Sequence, residues 1–132
     1  MTGDRESDHG PTAPGLVTAS ISELTGAPGG GAIWSLPHGG DLDANVVRVE
    51  AGGAIDEHVN DEVDVLLLVW SGSGDITVGA ESIDLEPGVV VGIARGRSRA
   101  IYAGATDLVY LSVHRRRDPM GIRSGAAPGG AG

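Results

Sequence analysis

The chain has 132 residues, 23 of them glycine and seven proline, with no cysteine and no phenylalanine. That length suits one domain with a real core and is too short for two. Without cysteine there are no disulfides and no thiolate chemistry, which fits a cytoplasmic protein. A formal net charge of −9 argues against a nucleic-acid duplex or an anionic membrane as a general partner.

Residues 1–15 are polar and Pro/Gly-bearing, lack a hydrophobic signal region, and read as a disordered tail. Ser20 with Glu23 three residues on is a capping-box pattern for one helical turn. The Gly/Pro run at 26–31 ends it. Short β-type runs follow at 32–36, 45–50, 63–70, 75–78, 81–86, 89–93, 99–103 and 107–114, punctuated by glycine-rich turns. Their core must be aliphatic, since the aromatic set is two tryptophans and two tyrosines. This series, with no long helix, predicts an all-β antiparallel sandwich or barrel over 16–117. Residues 118–132 read as a second, Gly/Ala-rich disordered tail. The longest apolar stretch, 65–70, is six residues, far short of a membrane span.

The run 63–70 is apolar on both faces: Val63, Val65, Leu67 and Val69 alternate with Leu66, Leu68 and Trp70, with Asp64 the only polar interruption. A strand with one face in water should alternate apolar and polar residues. A second cover is therefore expected outside it, either the N-terminal segment or another subunit, and a homodimer is the favoured expectation.

In chain order, Gly52, His58, Asn60, Asp64 and Gly72 are followed, after fifteen intervening residues, by Gly88, Ala94, Gly96, Arg99 and Ala103. Order and spacing resemble the two motifs of the small single-domain cupins, the jelly-roll β-barrel family. The resemblance covers residues 44–114 and implies a cupin-like jelly-roll barrel of about eight to ten short antiparallel strands. In that family two histidines and a glutamate of the first motif, with a histidine of the second, usually hold a divalent metal. Here His58 keeps its type, Asn60 stands at the second histidine and Arg99 at the last. Asp64 stands at the glutamate counting from His58, whereas counting back from Gly72 puts Val65 there. A one-residue slip moves a side chain to the opposite face, so the two alternatives differ in what enters the barrel.

Arg99 weighs most. A guanidinium stays charged and has no lone pair for a metal. A positive charge about 4 Å from a divalent ion costs roughly 8 kcal/mol at an effective dielectric near 20. The same group suits a carboxylate, phosphate or other polar ligand. The reading is thus a pocket lined by His58, Asn60 and Arg99, with Asp64 orienting the arginine or accepting from the ligand, and Trp70 as an apolar wall. A plain internal Arg99–Asp64 ion pair beside His58 is the alternative for the same residues.

The basic run His114–Arg117 attracts an anion or acidic partner, or is a solvated strand end. Along 107–114, Val109, Leu111 and Val113 form the apolar set, with His114 on the other face. The carboxylates of 61–64 and the turn at 95–99 read as hydrated turns, and His9 and His38 carry no signal. The expected function is a small cupin-domain protein binding a small polar or anionic ligand without the usual metal and without a cofactor. The alternative is an enzyme: a metal-dependent oxygenase or isomerase with an atypical ligand set around His58, or a metal-free acid/base catalyst using His58.

Overall fold

The computed structural model describes residues 11–13, 15–37 and 40–116. The expected tails therefore lie outside the described residues except for 11–13 and 15, where Pro11–Ala13 (β1) pairs antiparallel with Leu16–Val17 (β2). The single helical turn, Ile21–Leu24 (α1), starts where Ser20 Oγ accepts from the Glu23 N–H at 3.4 Å and ends in turns through Gly26.

Nine strands follow: Gly31–Ser35 (β3), Leu42–Val49 (β4), Ala54–Val59 (β5), Val65–Ser71 (β6), Gly74–Val78 (β7), Glu81–Leu85 (β8), Val90–Ile93 (β9), Ser98–Ala103 (β10) and Leu108–Arg115 (β11). They form two antiparallel sheets, β3-β4-β11-β6-β9 and β5-β10-β7-β8. Their inner faces meet over an aliphatic core centred on Ile76, Leu85, Leu108, Leu67 and Val69. The all-β jelly-roll arrangement is present. The expected closed barrel is not: among the described residues no ladder joins the two sheets, so the molecule is a sandwich.

Two close approaches explain glycines in the framework. Gly72 has φ +84°, and a Cβ there would strike the Asp107 carbonyl oxygen. A Cβ on Gly74 would strike the Tyr102 carbonyl oxygen. The β6–β7 turn and the start of β7 thus run against backbone of the β10–β11 connection and the end of β10, where only glycine fits.

The outer face of the five-stranded sheet is half covered. Leu24 of α1 packs with Val46, Val109, Trp34 and Leu111. Arg48, 7% exposed, fixes the segment after α1 by donating to the carbonyls of Thr25, Ala27 and Gly29 at 2.5 to 2.8 Å. Farther along this face Leu66, Trp70 and Val90 are 45–57% exposed, so within one chain the two-faced run has its second cover only in part. No helix of the described residues is long and apolar enough to cross a membrane.

Candidate functional site

A cavity of about 570 Å³ lies between the sheets. Ile55 and His58 of β5 with Arg99 and Ile101 of β10 supply one wall, and β3, β4, β6, β9 and β11 supply the other. Val47, Val65, Leu67 and Ile93 make it largely apolar, and a few polar groups converge on it. That combination is typical of a small-molecule site.

Strand β5 reads poorly as a strand because Asp56 and Glu57 interrupt it. The structure explains how it serves the cavity: Arg99 pairs with His58 and Ile101 with Ile55, so three steps on β5 oppose two on β10. This bulge brings Ile55 and His58 to the same wall although simple alternation would place them on opposite faces. It also leaves the Asp56 carbonyl facing the imidazole, whose Nδ1 donates to it at 2.9 Å. A carbonyl only accepts, so Nδ1 carries the proton and Nε2 is left as the acceptor. Arg99 Nε donates to that Nε2 at 3.4 Å.

Arg99 is 2% exposed, a guanidinium enclosed by the sandwich. Tyr110, on β11 of the other sheet, feels it: burial pushes the phenol well above its ordinary range, and the Arg99 charge pulls it back only in part. Tyr110 is therefore a protonated donor at any physiological pH.

Of the five residues singled out from sequence, His58 and Arg99 line the cavity together. Asn60 is buried but turned into its own loop: Oδ1 accepts from the N–H groups of Glu62 at 3.0 Å and Val63 at 3.2 Å. Asp64 is exposed, and its Oδ1 accepts from the Arg95 N–H at 2.9 Å. The slip question is thus resolved for Val65, which is 3% exposed and lines the cavity. Trp70 stands on the outer face of β6, 45% exposed, away from the cavity. Its even-numbered position puts it with Leu66 and Leu68, opposite Val65 and Leu67.

These positions do not fit a divalent metal. The Asn60 oxygen is occupied by two backbone donors, Val65 has no donor atom, and Arg99 is a cation facing His58 Nε2. Among the described residues no three His, Asp or Glu side chains form a group able to hold an ion.

Sequence reasoning passed over several polar lining residues. Tyr110, Ser112 and His114 of β11 face inward with Leu108, each 6% exposed or less, while Leu111 and Val113 are on the outer side. Asn45 and Asp43 of β4, paired with Ser112 and His114 in register, also line the cavity, as does Ser35 of β3. The signal was the shared parity of 108, 110, 112 and 114; a mixed apolar-to-polar face looks like an outer face unless a polar cavity is expected at that end.

No family model matches the sequence, and no curated protein matches it. Many solved structures share the fold. KdgF from Halomonas sp. is 23% identical at a TM-score of 0.59, covering 65% of this chain and 79% of that one. A cupin protein from Bacteroides fragilis is 21% identical at 0.55, covering 70% and 74%. BH2720 from Bacillus halodurans is 16% identical at 0.70, covering 92% and 90%. The chain has the small cupin fold.

Proposed function

We propose that this protein binds a small anionic molecule, best matched by a carboxylate, in the cavity between its sheets, without the metal usual for the fold. The observation that carries the reading is Arg99: a permanent cation, 2% exposed, on the wall of a largely apolar cavity. At about 4 Å and an effective dielectric of 20, a carboxylate gains roughly 4 kcal/mol of direct attraction to it. His58 and Tyr110 add polar contacts that orient the ligand. A cupin fold by itself hosts many functions, and it is the side chains of Arg99, His58 and Tyr110 that favour this one.

A metal-free acid/base reaction is a second reading, supported by the His58 tautomer, whose unprotonated Nε2 belongs to a cavity-lining ring. For the outer apolar face we propose a second copy of the chain as the cover, because Leu66 and Trp70 on β6 and Val90 on β9 lie on neighbouring paired strands. A thermal-denaturation series with small carboxylates and their neutral amides tests the anion reading. An acid at ~100 times its dissociation constant adds about 2.7 kcal/mol of stability. Equal shifts with acids and amides, or none with either, would rule the reading out.

A further inference from the structure

We infer that the cavity has a second recognition pole, on the five-stranded sheet, and that its ligand is a small hydroxylated carboxylate. The inference rests on the anion reading above and extends it.

The pole is built around Ser112 and His114. Ser112 is 3% exposed, lines the cavity, and its hydroxyl has no hydrogen-bond partner among the described residues. A buried hydroxyl left so is costly, and such sites are uncommon unless a ligand or other partner completes them. His114 is 6% exposed and donates from Nδ1 to the Arg115 carbonyl at 2.9 Å, so in the neutral ring Nε2 is the acceptor. Across the ladder, Asn45 accepts the Ser35 hydroxyl on its Oδ1 at 2.6 Å, and its Nδ2 is a donor. Asp43, opposite His114, only accepts when ionised.

This mixture of donors and acceptors selects the ligand group. A hydroxyl donates and accepts at once, and so completes Ser112 together with a neighbour. A second carboxylate would meet Asp43, and a bare methyl would leave Ser112 without a partner. Tyr110, which feels the Arg99 charge, and Ser112 are two residues apart on one strand, roughly 7 Å along it. That spacing suits an acid whose hydroxyl is separated from the carboxylate by a few methylene groups.

The test compares pentanoate, 5-hydroxypentanoate and 5-aminopentanoate by titration calorimetry on the full chain, Ser112→Ala and Arg99→Gln. The hydroxy acid should bind the unaltered protein at least ten-fold more tightly than pentanoate. Ser112→Ala should reduce that preference to less than three-fold, and Arg99→Gln should weaken both acids. Equal binding of pentanoate and its hydroxy form to the unaltered protein overturns the second pole and leaves the anion reading standing. The amino acid binding most tightly also overturns it. Binding of none of the three overturns both.

Discussion

Asn60 offers a sharp test of which polar residues belong to the site. Asn60→Ala removes the acceptor for two backbone N–H groups, at 3.0 and 3.2 Å. Val63 is 2% exposed, so its N–H cannot turn to water, and an orphaned buried donor costs about 1–3 kcal/mol. The Glu62 N–H is less enclosed and costs less, while deleting the partnerless Asn60 Nδ2 offsets part of the loss. A net of ~2 kcal/mol follows, or a fall of roughly 8–16 °C in Tm for a folded unit near 100 residues. Asn60→Asp keeps an acceptor and should recover much of this. Differential scanning calorimetry reads the stability and a carboxylate titration reads the site. An Asn60→Ala protein that melts within ~2 °C of the parent, or that binds acid ten-fold more weakly at unchanged Tm, would refute this role for Asn60.

Gly72→Ala should cost about 3 kcal/mol or prevent folding, because positive φ and a collision with the Asp107 carbonyl act together. Gly88→Ala, at φ +94° with open space around it, should cost only about 1 kcal/mol in urea melts. Tyr110 keeps its proton in the folded chain past the pH, about 10, at which an unfolded tyrosine ionises. Its contribution is therefore complete below pH ~10 and is lost as pH rises beyond it, by up to ~1.4 kcal/mol per unit, and Tyr110→Phe should abolish that part of the alkaline slope. Trp70→Lys should break the proposed pairing of two copies, read as a dimer-to-monomer change in analytical ultracentrifugation, with carboxylate affinity unchanged; an unaltered sedimentation coefficient would remove this face as the proposed contact.

The fold was legible where burial is one-sided and local. The helical turn at Ile21–Leu24, the strands β6 to β11 and the glycine turns all follow from cap, alternation and turn chemistry. β5 was not, because its bulge breaks the period of two and its Asp56 and Glu57 face away from the core. The same bulge decides the site, since it aims His58 inward. Arg99 was readable because a cation inside a β run demands a reason. Asn60 and Asp64 were misread in role because turn-capping and ligand-binding draw on the same residue types, and only the backbone positions around them distinguish the two. His114 was passed over because parity alone cannot say which face of a strand is inside when both carry apolar residues.

The central claim is that Arg99 makes this cavity an anion site. Calorimetric titration of a carboxylate that binds the parent, repeated on Arg99→Lys and Arg99→Gln proteins of verified fold, tests it most directly. Losing the buried charge should weaken binding by about 2–5 kcal/mol, some thirty-fold or more, with lysine falling between. An Arg99→Gln protein that binds the acid as tightly as the parent would contradict the account.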